Sequence, residues 1–192
     1  MKDNGVTPSG ALIKAMLLNS TVDMTRVPGY PSNDEGWGLI RLDRTLHFKN
    51  GPRRLAVRDV RRDDGMAHGE ERTFYLQVRD DSQELKITLV WTEPPPSEKS
   101  FANPTVNTIQ LAVRDPNGVR YRGNDINVSI GQSKPNGTAP LDQVNNVHMV
   151  IVKSPPAGLW IVTIRATVRA GKQQGFALVA TGSLLINALI SP

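Results

Sequence analysis

Apolar positions along this chain change their period once. Between residues 9 and 19 they recur every three to four positions, with Leu12 and Met16 on one stripe, which the polar Asn19 continues, and Ala11, Ala15 and Leu18 on another. That spacing predicts a helix, and Ser9, following Pro8, is placed to cap its N-terminus. The pattern is apolar on most sides, so this helix needs enclosure by other structure. Residues 26–38, punctuated by Pro28, Gly29, Pro31, Gly36 and Gly38, predict a loop. Leu39–Leu46 predicts a second short helix with Asp43 and Arg44 exposed.

From about residue 54 the period becomes two. Phe74, Leu76 and Val78 share one face of a strand; Leu85, Ile87, Leu89 and Trp91 share one face of the next, with Lys86 and Thr88 outward. Ile109, Leu111 and Val113 follow, and Asp115-Pro116-Asn117-Gly118 turns the chain into a hairpin arm at Val119–Arg122. Val147, Met149 and Ile151 form the next inward set. Trp160, Val162, Ile164 and Ala166 come after Pro155-Pro156-Ala157-Gly158, and Phe176, Leu178 and Ala180 close the series. With Leu55–Val60 counted, about eight strands alternate in this way, which predicts a mainly β chain: an antiparallel β-sandwich of jelly-roll type with a short N-terminal helical segment.

Composition narrows the field. The 192 residues are 39% hydrophobic, with 16 glycines, 14 prolines and aromatics at 5%, which suits short strands joined by many turns. The absence of cysteine removes disulfides, thiol catalysis and zinc–thiolate sites. A net charge of +5 raises nucleic-acid binding, but Asp59, Asp63 and Asp64 sit among Arg53, Arg54, Arg58, Arg61 and Arg62. That mixture reads as a solvated strand face, and no aromatic platform interleaves with it. No apolar run is long enough to span a bilayer. Met1–Gly5 lacks the apolar core of a signal peptide.

Two groups of motifs carry a resemblance. Pro8-Ser9-Gly10-Ala11-Leu12-Ile13-Lys14-Ala15 and Gly36-Trp37-Gly38-Leu39-Ile40-Arg41-Leu42-Asp43 resemble the helix after the catalytic serine and the turn that ends the catalytic domain in subtilisin-like serine proteases. Leu85–Glu93, Asn107–Leu111, Asp115–Gly118, Gly123–Asp125, Asp142–Val147, Pro155–Val162 and Gln174–Val179 are similar, in order, to the jelly roll that follows that domain in one group of these enzymes. The resemblance implies a catalytic-domain remnant at 1–50, a jelly roll at 51–183 and a tail at 184–192. It places the Asp, His and Ser segments of the triad outside this chain. It also implies a secreted parent, whose catalytic domain is the partner and which the sandwich stabilises without taking part in the chemistry. The alternative is a sandwich that binds carbohydrate or protein, for which no exposed aromatic platform is legible.

The residues support no reactive centre of their own. There is no Gly-x-Ser-x-Gly or Gly-Thr-Ser run, and His47, His68 and His148 share no motif. His148, on an outward strand position, and His68 are expected to be solvated. Oxygen donors gather at predicted strand ends: Glu93, Asn107, Asn124, Asp125, Asp142, Asn145 and Asn146. The resemblance implies a calcium site there, and Asn107, Asp125, Asp142, Asn145 and Asn146 are its candidate ligands. Related domains carry Asn-Asp-Leu-Asp-Leu where this chain has Asn107-Thr108-Ile109-Gln110-Leu111, so two carboxylates are missing and affinity should fall. The competing reading is that Asp142, Asn145 and Asn146 only order a loop through Asx-turns. Finally, Leu12, Ile13, Leu17 and Leu18 lack an enclosing catalytic domain, so self-association or N-terminal mobility is expected.

Overall fold

The computed structural model describes residues 7–24, 26–46, 51–95, 105–185 and 189. His47, Met1–Gly5 and residues 186–188 and 190–192 lie outside it. Helix α1 spans Gly10–Asn19 and is followed by β1 (Thr21–Val22) and β2 (Leu39–Ile40). Strands β3 (Arg54–Val60), β4 (Glu71–Val78), β5 (Leu85–Val90), β6 (Thr108–Arg114) and β7 (Arg120–Arg122) come next. The remainder are β8 (Ile126–Asn127), β9 (Gln132–Ser133), β10 (Val147–Val152), β11 (Gly158–Thr167) and β12 (Phe176–Gly182).

Eight of these strands make two antiparallel four-stranded sheets, ordered β10-β5-β12-β3 and β4-β11-β6-β7. Apart from the β6–β7 hairpin, every connection between these eight crosses from one sheet to the other, which is the double Greek-key winding of a jelly roll. Between the sheets lie the residues whose alternation predicted it: Phe74, Leu76 and Val78 of β4, Leu85, Ile87 and Leu89 of β5, Ile109, Leu111 and Val113 of β6, and Trp160, Val162 and Ile164 of β11. Trp91 and Trp160 are fully buried there, as expected.

The first sheet differs from expectation because it is covered on both faces. Helix α1 lies on its outer side against β12 and β5, burying Ala11, Leu12 and Ala15 on Val90, Val147, Ala177 and Val179. Small residues at 11 and 15, one turn apart, let the helix approach the sheet closely. Tyr30 covers Met149 and Ile151 farther along. Burying each large side chain in this way stabilises the docked segment by roughly 1.5–3 kcal/mol.

Two readings are corrected by this cover. Lys86 and Thr88 do not face water; both are buried beneath the N-terminal segment. Strand β10 is turned the other way round: Val150 and Val152 point between the sheets, while Val147, Met149 and Ile151 face the outer layer. All six of its residues are buried, so alternation carried no information about which face was which. The helix itself is laid on the sheet, with Ser9 capping it by accepting the Leu12 N–H at 3.0 Å. In addition, Leu39–Leu46 forms only the strand β2 and a single 3-10 turn at Leu42–Arg44.

Gly38 shows why the Gly-Trp-Gly turn needs glycine. Its φ is +90°, and a Cβ would sit 2.4 Å from the Val22 carbonyl oxygen and 2.6 Å from the Tyr30 ring. Trp37 is half-buried against the apolar residues under the helix and Tyr30, a packing role.

Candidate functional site

Polar side chains concentrate in two places: the end of the sandwich where β5 stops and β6, β10 and β12 begin, and the seam between the N-terminal segment and the first sheet.

At the strand ends, Asn107 is buried and uses all of its amide. Its Nδ2 donates to the Ala170 carbonyl (3.0 Å) and Gln174 Oε1 (2.8 Å), and its Oδ1 accepts the N–H groups of Arg169 and Ala170. Glu93 Oε2 accepts the Val106 and Asn107 N–H groups, both at 3.0 Å. Asn124 sits in the left-handed region (φ 64°), which asparagine tolerates. Its Nδ2 donates to Asp142 Oδ2 (2.6 Å) and the Val147 carbonyl (2.7 Å), while its Oδ1 accepts the Met149 N–H.

Asp142 accepts from four donors: Val144 N–H, Asn145 N–H, Asn145 Nδ2 and Asn124 Nδ2. Burial works against its charge, but the hydrogen bonds from Asn145, Val144 and Asn124 outweigh it and hold the carboxyl below its ordinary value. Asn146 donates to the Trp91 carbonyl and accepts from Lys14 Nζ at 2.7 Å. Asp125 is buried, accepts the Ala139 N–H and lies 3.4 Å from Lys134 Nζ. Four of the five candidate ligands, Asn107, Asp125, Asp142 and Asn146, thus have an oxygen turned toward an N–H donor of the protein, while Asn145 donates to Asp142. Among the described residues, no three His, Cys, Asp or Glu side chains are grouped to hold a metal ion. A cation here would compete with those donors for the same oxygens.

His148 corrects the expectation of a solvated imidazole. It is 1% exposed, edge-on to Trp91 with ring centroids 5.4 Å apart. Its Nδ1 accepts the Leu111 N–H at 3.2 Å, so that nitrogen is unprotonated; Nε2–H then donates to the Asp142 carbonyl at 3.3 Å. Burial pushes its pKa down, against the pull of Asp142. The ring bridges the two sheets and is a packing element. His68 is exposed, as expected.

The seam was not legible in the sequence. Asn19, the last residue of α1, is buried on the sheet: Nδ2 donates to the Lys86 carbonyl and Thr88 Oγ1, both at 3.1 Å, and Oδ1 accepts from Thr181 Oγ1 at 2.8 Å. The Lys86 ammonium is 3% exposed and donates to the Thr21 carbonyl (2.6 Å) and Tyr30 Oη (2.8 Å), both on the N-terminal segment. Burial, with Arg53 and Arg44 adding to it against Glu84, lowers the Lys86 pKa to about 8. A cleft of about 410 Å³ opens beside it, with Arg44, Arg53, Lys153, Asp23 and Glu84 in its lining. The only sequence signal for this seam was the helix that is apolar on most sides, which implies a cover without saying what it covers.

No protein-family model matches the chain. It is 26% identical over 181 residues to a Dictyostelium discoideum protein named serine protease/ABC transporter B family protein tagA. That alignment takes in 91% of this chain and 10% of the relative, so the chain spans only a tenth of that protein's length. Among solved structures, the crystal structure of Bacillus licheniformis lipase BlEst2 in propeptide form is matched over 69% of this chain and 22% of that one. At 20% identity and a TM-score of 0.35 that likeness is too loose to bear on function.

Proposed function

We propose that this chain is the end of the catalytic domain and the C-terminal jelly roll of a secreted subtilisin-like serine protease, and that its task is to stabilise the parent without taking part in the chemistry. The relative named a serine protease supports this, because the similarity runs through both the N-terminal segment and the sandwich.

One observation carries the reading. The N-terminal segment has two apolar sides: Ala11, Leu12 and Ala15 are buried on the sandwich, while Ile13, Leu17, Leu39, Ile40, Leu42 and Leu46 are exposed to between 37% and 52%. Exposed large apolar side chains concentrated in the N-terminal segment mark a surface that another body covers. A catalytic domain seated there would be braced through α1 onto the β5–β12 sheet. A self-digesting enzyme gains from that bracing, since each opened copy is a substrate for its neighbours.

The test is a longer parent that carries the triad segments, compared with and without residues 52–192. A shorter thermal-inactivation half-life for the truncated form is expected; equal half-lives sink the proposal. In the isolated chain the open apolar face pairs with a second copy, which sedimentation reads as a concentration-dependent mass. Calcium at Asp142, Asn145 and Asn146, with Asn107 and Asp125 as further candidate ligands from two other connections, is the secondary part of the proposal. Titration calorimetry decides it, and the absence of heat with calcium removes it.

A further inference from the structure

The seam cleft has the makings of a ligand site that the stabilising role does not use. Its floor is the Lys86 ammonium, which makes two hydrogen bonds, to Thr21 and Tyr30, out of the three it can donate. Among the described residues the nearest carboxylate, Glu84, stays 3.9 Å away, beyond hydrogen-bonding distance. Half-buried Arg53 forms a wall, and its guanidinium is anchored on the Glu84 carbonyl (3.0 Å) and Gln83 Oε1 (3.2 Å). Arg44 enters from the N-terminal segment and exposed Lys153 from the end of β10. Four cationic groups thus face two anionic ones, Asp23 and Glu84, in a cleft whose volume falls within the ~300–1,000 Å³ of small-ligand sites. The cations repel one another: Arg44 and Arg53 disfavour the charge on Lys86, and Arg44 disfavours that on Arg53. An arrangement that costs energy when empty is relieved by an anion.

We propose that this cleft binds a tetrahedral oxyanion, phosphate or sulfate, free or as a monoester, gripped by Lys86, Arg53, Arg44 and Lys153. Three or four oxygens match donors arriving from several directions, and guanidinium groups take such oxygens two at a time. Because Arg44 comes from the N-terminal segment and the other three from the sandwich, the bound anion ties the two together. Anion binding and docking of residues 9–46 are therefore coupled.

The experiment uses the 192-residue chain, inorganic phosphate as probe, and sodium chloride at matched ionic strength as control. Titration calorimetry is expected to give saturable phosphate binding, with a melting temperature that rises with phosphate and slower proteolysis within residues 7–46. Sulfate should substitute and chloride should not. An arm with O-phosphoserine separates a free anion from an ester: tighter binding than phosphate assigns the cleft to an ester. Lys153→Glu and Arg44→Glu, both on exposed side chains, should each weaken phosphate about tenfold. Lys86→Met should abolish binding; the two surface variants keep the test decisive should that variant fold poorly. A rise in melting temperature equal to that with chloride, or unchanged phosphate affinity in Lys153→Glu and Arg44→Glu, overturns the proposal. Because it is measured on this chain alone, its failure leaves the stabilising role standing, and the reverse also holds.

Discussion

Asp59, on strand β3, holds the start of the helix: its Oδ2 accepts the Ser9 N–H at 2.8 Å and its Oδ1 accepts the Ser9 hydroxyl at 2.5 Å. Ser9 Oγ in turn accepts the Leu12 N–H, so a carboxylate from the sheet completes the cap of a helix 50 residues earlier in the chain. A negative charge at that end also suits the helix dipole. Asp59→Ala is expected to cost roughly 1.5–3 kcal/mol, the worth of hydrogen bonds to a charged group. Urea denaturation measures the loss, and limited proteolysis should find the first new cut near residues 7–20.

Asn19 anchors the other end of the helix. Removing it leaves Thr88, Thr181 and the Lys86 carbonyl without their partners in a buried place, a loss of roughly 1–3 kcal/mol. Asn19→Leu, which restores volume but no hydrogen bonds, should recover none of the stability lost in Asn19→Ala. Equilibrium unfolding of both variants checks this; full recovery in the leucine form would make the site a matter of packing alone.

Stability should pass through a maximum near pH 10. The Lys86 pKa falls to about 8 in the folded chain, so between pH 8 and 10.5 the unfolded chain holds a proton that the folded one has released, and stability climbs. The rise is on the order of 3 kcal/mol. Burial raises the Tyr30 pKa to about 12; above pH 10 the unfolded chain loses a proton that the folded one keeps, and stability falls. Lys86→Met should flatten the rise and Tyr30→Phe the fall, as read by melting temperature against pH.

His148 sets the acid limb. Its pKa is depressed, so as pH drops below 6.5 the unfolded chain takes up a proton first and stability declines. Protonation at Nδ1 would also break the bond from Leu111. His148→Gln should remove the slope that sets in below pH 6.5 while lowering stability at neutral pH.

Arg114 and Arg120 stand directly opposite each other on β6 and β7, both exposed and without an ion pair among the described residues. Like charges in that position destabilise a hairpin, so Arg120→Glu should raise stability by roughly 0.2–1 kcal/mol. Thermal unfolding at low salt reads the gain, which added salt should erase.

The sandwich was legible where one strand face meets water. In β4, β6 and β11 the outward residues Thr73, Gln110 and Arg165 separate the inward ones, and every inward assignment held. Strands β5, β10 and β12 are buried throughout, so period-two reasoning had no solvent face to orient it. Lys86 and Thr88 were therefore assigned to solvent and β10 to the wrong side. The helix and its cap were readable because Ser9 acts locally, through Leu12. That Asp59 reaches back to Ser9, and Lys86 to Thr21 and Tyr30, depends on contacts 50 to 65 residues apart, which no local pattern encodes.

The cover over the first sheet bears on how the sandwich can be handled as a part. A fragment trimmed to begin at residue 51 would bare Val90, Val147, Met149, Ile151, Ala177 and Val179 to water, all of them sealed in the full chain. Such a trimmed piece would be a sticky plate and would precipitate or stack. Any transplant of this jelly roll onto another protein has to bring its N-terminal strap along.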